Sequence, residues 1–399
     1  QASTGKSESS TSAHRLPYEG LRFFEKSETL TGRLAGLLFA DQGAEVLIGR
    51  GTDFQAGEED EFLDRNKYSV APDQLMDTSS ADVIIVDGDA VVEHSPSQIV
   101  VRVVAALPGD TVDGHLPADC SEDLLGALVG FFTDMGTTSK ILGRPVIYTP
   151  LPLCSVYAAV NGAVATGAAL VDRERCGRGR EVYASRLAGG LSAIGALALT
   201  SEGMPDHLEP ADITGVPEGV DPEEFKRWLS EAAADGDRQL WLEQRIIPLA
   251  TPYETADGRL ALPLAAPNRR LTQRILQTLG IWDQALEAGM VDVNPYDPAN
   301  IEYLGRNLAD SMGLNFAMSS ALADLLATAF LEKPAHEWEK MLSEEVGVPC
   351  LKVLTWDEFK QDPEARTAHI WARVQGHDAI QLGRPSSVAS AQPYPDLKA

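Results

Sequence analysis

The sequence predicts an α/β protein with a doubly wound, Rossmann-like first half and a second region of different composition. Three observations predict it. A β-α-β run opens the chain within about thirty residues, the size of one crossover unit. Two runs, Ala81–Val86 (ADVIIV) and Ile99–Ala105 (IVVRVVA), are β-branched and bounded by turn residues, as strands buried on both faces of a parallel sheet are. Near residue 205 the composition changes, and Pro, Asp and Glu crowd Met204–Glu224.

The elements follow in order. Gly20–Phe24 is a short apolar run, and Thr31–Gln42 places Leu34, Leu37, Leu38 and Phe39 at helical spacing. Gly43 ends that helix, and Glu45–Ile48 reads as the next strand. Helical patterns cover Leu124–Met135 and Val156–Arg173, the second rich in Ala and Gly; Val182–Ala184 is a brief strand and Gly189–Ser201 a helix. Beyond the acidic linker, Arg227–Gln244 is an amphipathic helix with two Trp. Tyr253–Leu264 is a hairpin turning at Asp257-Gly258. Arg269–Leu286, Ala317–Ala329 and Pro334–Glu345 are helical, Val348–Leu354 is a strand, and the last twenty residues are extended and loop-rich.

Charge limits the partners. Of 399 residues, 33 are Lys or Arg and 59 are Asp or Glu, a net charge of −26. Such a surface repels nucleic acid and anionic membranes. Four dispersed cysteines, with no CxxC pair and no Cys/His cluster, give no zinc site and no disulfide framework. A reducing cytoplasm fits that usage best. Residues 1–15 are Ser/Thr-rich without an apolar core and read as a flexible tail. The most apolar stretch, Tyr157–Val171, is interrupted by Asn161 and reads as too short to span a bilayer.

Motifs exclude several chemistries. A dinucleotide loop needs GxGxxG between first strand and helix, so that backbone can approach a pyrophosphate. The first turn, Glu25–Gly32, holds one Gly; Gly49-Arg50-Gly51 has no third Gly or helix after it. No Walker loop, GxSxG elbow or HExxH occurs, and none of the seven histidines lies in a pattern with an acid and a nucleophile. Arg173, Arg175, Arg178 and Arg180 form a basic cluster. It reads either as a phosphate contact or as a solvated turn whose cations complement a helix C-terminus.

Seven segments, in order, resemble one family. They are Leu16–Glu25; Gly32 through Ala40-Asp41-Gln42-Gly43-Ala44-Glu45-Val46; Arg65-Asn66-Lys67-Tyr68-Ser69; Ala81–Ile85; Ala168–Val182 with its Cys176-Gly-Arg-Gly-Arg turn; Tyr253-Glu-Thr-Ala-Asp-Gly258; and Glu337-Trp338 with Gly347-Val-Pro-Cys350. Together they are similar to the class III (CaiB/BaiF-type) coenzyme A transferases. The resemblance implies an α/β domain to which the C-terminal part returns, a smaller inserted α+β domain, and an interlocked-ring dimer. The implied division is a tail at 1–15, the large domain at 16–203, linker and small domain at 204–333, and the returning part at 334–399. It also implies CoA-thioester substrates, with no covalently bound cofactor and no metal. In the family an Asp carboxylate attacks the donor thioester and passes through an aspartyl-CoA thioester.

The departures from the family lie where its chemistry lies. The family Asp ends a "VDxSMxD" motif. Here the segment is Val182-Tyr-Ala-Ser-Arg-Leu-Ala188, so Ala188 occupies the nucleophile position. The racemase His/Asp pair is missing, since Ser121-Glu122-Asp123 holds no His. Leu30 stands where formyl transferases carry Gln, and Trp241–Pro252 lacks the Gly-rich loop. The expectation is a catalytically degenerate subunit of a heteromeric CoA-transferase. A homologous Asp-bearing subunit would supply the nucleophile, as in two-gene members such as succinyl-CoA:benzylsuccinate transferase. Arg50, Asn66 and Lys67 are the candidate CoA contacts. Two other readings stay open: a self-sufficient transferase, either using Glu122 or Asp123, residues that more readily read as a helix cap, or carrying an engineered Ala188; and a non-enzymatic CoA-ester binding scaffold.

Overall fold

The structure is a computed structural model. It describes residues 16–51, 54–110, 116, 120–132, 151–195, 202–203, 221–235, 238–363, 371–375, 380–385 and 397–398. The chain divides into two compact units, one comprising Gln1–Val129, Pro150–Gly195 and Phe359–Ala399, the other Gly130–Thr149 and Ala196–Glu358, each considered through its described residues.

The first unit is built on β1 (Arg22–Glu25), α1 (Leu30–Ala40), β2 (Glu45–Gly49), α2 (Glu58–Leu63), β3 (Tyr68–Val70), β4 (Val83–Asp87), β5 (Ile99–Val104), α3 (Glu122–Leu128), α4 (Leu153–Cys176), β6 (Glu181–Ser185) and α5 (Arg186–Ile194). Its six strands pair in parallel in the order β3-β2-β1-β4-β5-β6. That is the doubly wound order, with the chain reversing its direction of winding between β1 and β4. The apolar runs are continuous because both faces are covered. Val83 and Ile85 join Phe23, Val101 and Val103 on one face; Ile84 and Val86 join Phe24 and Val100 on the other. Phe39 of α1 and Ala169 and Leu170 of α4 close the first face.

Several boundaries differ from the sequence pattern. α4 starts at Leu153 and runs 24 residues. By length and apolarity alone it could cross a membrane, contrary to the sequence estimate. However, 44% of its most apolar window is buried and it packs on β6, as a core helix does. α5 starts at Arg186, three residues before the expected Gly189, because the Ser185 hydroxyl accepts from Ala188 N at 3.2 Å and caps it there. Gly189 and Gly190 lie inside α5 because α4 presses on them: a Cβ at Gly189 would sit 2.5 Å from Cys154 O and 2.6 Å from Ala158 N. Gly189→Ala is therefore expected to destabilise the first unit by about 1–3 kcal/mol despite the better helix propensity of Ala, measurable by urea denaturation.

The second unit carries α6 (Pro222–Ala234), α7 (Gln239–Gln244), β7 (Tyr253–Glu254), β8 (Leu260–Pro263), α8 (Arg269–Thr278), α9 (Trp282–Glu287), α10 (Phe316–Phe330), α11 (Ala335–Glu339) and β9 (Cys350–Lys352). The expected helix over 227–244 is two helices, α6 and α7. They are clamped together by Phe225, Leu229, Leu242 and Ile246. The expected helix over 269–286 breaks at Gly280, whose φ of 70° ends α8 and lets α9 turn back. The hairpin at 253–264 forms as β7 and β8. β9 pairs antiparallel with β8, matching Leu262 with Leu351. The strand expected near Val348 thus extends this small sheet, and the chain passes to the first unit only at Phe359 rather than at 334. Tyr253, Leu322, Phe330 and Trp338 centre the core, with Trp338 Nε1 donating to Phe330 O at 2.8 Å. Residues 204–220 of the expected linker lie outside the described residues; 222–224 open α6, capped by Asp221.

α12 (Trp356–Gln361) precedes the C-terminal strands β10 (Trp371–Gln375), β11 (Ile380–Leu382) and β12 (Leu397–Lys398), which pair as β11-β10-β12.

Candidate functional site

In a doubly wound sheet, ligands bind beyond the carboxyl ends of the strands. Here those ends present Glu25, Asp87, Val104 and Ser185. At the β1/β4 reversal the Asp87 carboxylate accepts from Ser27 Oγ at 2.5 Å, Thr29 Oγ1 at 2.9 Å and Glu28 N at 2.8 Å. The loop after β1 thus folds down onto β4 and fills the reversal point with its own groups.

Ala188 lies at the third position of α5, in its first turn and partly exposed. Its own N–H is held by Ser185 Oγ at 3.2 Å, and that of Leu187 by Ala105 O at 2.9 Å. Next to it, Arg186 points into the protein. Its Nη1 donates to Cys120 O at 2.5 Å, its Nε to Ser155 Oγ at 3.2 Å and its Nη2 to Glu122 Oε2 at 3.3 Å.

Glu122 is engaged as well. Its Oε1 accepts from Cys154 N at 2.6 Å and Ser155 N at 3.3 Å, and its Oε2 from Ser155 Oγ at 2.7 Å. It caps α4, while Ser121 caps its own helix α3. The Cys154 thiol beside it is pushed up to about 12 by burial and by the Glu122 charge, which leaves it a poor nucleophile at neutral pH.

The three candidate CoA contacts fall on one segment and differ in what they offer. Arg50 pairs with Asp64, Nε at 3.0 Å and Nη2 at 2.5 Å, and its guanidinium stands over the Phe54 ring at 4.6 Å. Asn66 takes a left-handed conformation, φ 60°, and its Nδ2 donates to Asp41 Oδ1 at 2.7 Å. Lys67 is fully buried: its ammonium donates to Glu25 Oε2 at 2.7 Å and to Arg33 O at 2.8 Å. That places Lys67 in the interior rather than on a ligand-facing surface. Burial raises the Glu25 carboxyl to about 7 even beside the Lys67 charge, and burial lowers the Lys67 ammonium.

The structure brings Ala188, Glu122 and Arg186 into one cluster at the starts of α4 and α5, and Arg50, Asn66 and Lys67 into another around Asp41 and Asp64. Arg186, Ser155, Asp41 and Glu25 were not anticipated as partners. The signal for Arg186 lay in the sequence, as an Arg where the family motif has Met. Among the described residues no His/Cys/Asp/Glu group is arranged to hold a metal.

The model of CoA-transferase family III matches residues 227–396, a stretch that begins beyond Ala188. The chain is 22% identical over 396 residues to the CoA-transferase/lyase DddD of Marinomonas sp. (strain MWYL1), covering 94% of this chain and 46% of that protein. It therefore spans about half the length of the curated relative it matches. Among solved structures, Rv3272 of M. tuberculosis shares 18% identity with a TM-score of 0.64, over 96% of each chain. A CAIB/BAIF family protein of Brucella suis shares 17% with a TM-score of 0.60, over 96% of this chain and 95% of that one. These two likenesses establish a shared fold. Residues 227–396 are thus similar to CoA-transferase family III, and the chain as a whole is similar to the proteins named.

Proposed function

We propose that this chain is the non-catalytic subunit of a heteromeric class III CoA-transferase, which moves CoA between a thioester such as succinyl-CoA and a carboxylic acid, benzylsuccinate-like compounds among them. A homologous subunit supplies the nucleophilic Asp, and the two chains pair as interlocked rings in the cytoplasm. The observation that carries this reading is Ala188. It stands in the first turn of α5, where the family motif places Asp, and the methyl group cannot attack a thioester.

The surroundings favour this over a relocated nucleophile. An acyl-accepting carboxylate needs free lone pairs on the substrate side, whereas Glu122 gives its oxygens to the start of α4 and to Arg186. Arg50 and Asn66 are the proposed CoA contacts of this chain. Lys67 is assigned to holding Glu25.

Co-expression tests the reading. The chain purified with an Asp-bearing homologue is expected to elute as a complex and transfer CoA from succinyl-CoA to an acceptor acid. Asp→Asn at the homologue's nucleophile should abolish transfer. Full activity in that complex after loss of the homologue's Asp would overturn the assignment. In the lone chain Ala188→Asp should fold, since a carboxylate there gains about 0.3–1 kcal/mol from the helix start. Transfer restored by that change alone would mean that the rest of the site is intact and the chain is not degenerate.

A further inference from the structure

We propose that the C-terminal segment 380–385 is a strap, latched onto the N-terminal part of its own unit by the buried Asp41–Arg65 pair. Both side chains are essentially inaccessible, 1% and 0% exposed, and Arg65 Nη2 donates to Asp41 Oδ2 at 2.7 Å, with Nε 3.3 Å from Oδ1. The remaining donors of the guanidinium reach across more than three hundred residues of sequence. Nη2 donates to Gly383 O at 3.2 Å, and Nη1 to Leu382 O. The strap returns the contact: Arg384 Nε donates to Asp41 O at 2.8 Å.

One planar guanidinium thus serves a carboxylate on one side and two strap carbonyls on the other, a division that an ammonium cannot reproduce. Lifting the strap leaves N–H donors of a buried cation unmet, at the end of α1 that Asp41 caps. Release of the strap therefore carries a desolvation cost. It also reaches the proposed ligand segment, because Asp41 Oδ1 holds the Asn66 amide in its left-handed turn. The strap does not depend on the assignment of Ala188.

Hydrogen–deuterium exchange of the full chain tests it. Arg65→Lys keeps the charge opposite Asp41 and gives up the two-carbonyl fork. The peptide covering 380–385 is expected to exchange about tenfold faster or more, with β1, β4 and β5 as protected as in the parent. Arg384→Gln, which leaves the buried pair whole, should accelerate the same peptide less and in isolation. Unchanged exchange of 380–385 in both variants would overturn the latch. So would loss of protection spread evenly over the sheet in Arg65→Lys, since the pair would then be a general core element.

Discussion

Lys67→Met is expected to destabilise the first unit by about 3–5 kcal/mol at pH 8, and by clearly less at pH 5.5. Glu25 and Lys67 are 1% and 0% exposed, and the ammonium is the counter-charge within reach of Glu25 Oε2 at 2.7 Å. Removing it strands a carboxylate among apolar strands and helix α1. The sign follows from the shift. Burial already holds the Glu25 carboxyl up, at about 7, and without Lys67 it rises further. A carboxyl raised above its unfolded value, about 4.3, contributes its stability while protonated and loses it as pH climbs through the folded value. The variant's deficit should therefore grow between pH 5.5 and pH 8. At about 2–4 °C per kcal/mol, thermal unfolding at the two pH values resolves it. Equal losses at both would mean that Glu25 keeps another partner.

Arg186→Met restores the residue of the family motif and is nonetheless expected to cost about 2–4 kcal/mol. Glu122 loses its cation while remaining fixed to Cys154 N and Ser155 N, and Cys120 O loses a donor. The lower end of the range reflects Glu122, which is 23% exposed and partly screened. The double variant Glu122→Gln/Arg186→Met keeps an acceptor for the start of α4 without a stranded charge. It should recover more than half of the loss, giving a coupling of about 1–2 kcal/mol in a double-mutant cycle. A double variant as unstable as the sum of the two singles would separate the residues energetically. Arg186 at the start of α5 is held where the half-buried Glu122 faces it.

Much of the first unit was legible in the sequence because its strands are covered on both faces. ADVIIV and IVVRVVA need no alternation, and their ends follow directly from turn residues. Helix starts and breaks were less legible. Ser185 caps α5 from inside what reads as a strand, and the Gly189-Gly190 pair that reads as a helix start is a packing contact with α4. At Gly280 a left-handed glycine interrupts an unbroken apolar pattern, and periodicity does not register the backbone angle. The candidate site shows the same limit. Ala188 was found by position within a motif, which is local information. The partner of Lys67 is Glu25, 42 residues away, and those of Arg65 include carbonyls at 382 and 383. Only the sheet's parallel pairing and the return of the chain end bring them together. Of the three residues that read as ligand contacts, Lys67 has its ammonium turned inward onto Glu25.

Transfer of CoA from succinyl-CoA by the purified chain, followed by release of free succinate and capture of CoA on an added acid, tests the assignment most directly. No turnover is expected from the chain alone and no aspartyl- or glutamyl-CoA adduct on it by intact mass, with transfer appearing when the Asp-bearing homologue is supplied. Turnover by the chain alone, with an adduct mapped to Glu122 or Asp123, would contradict it.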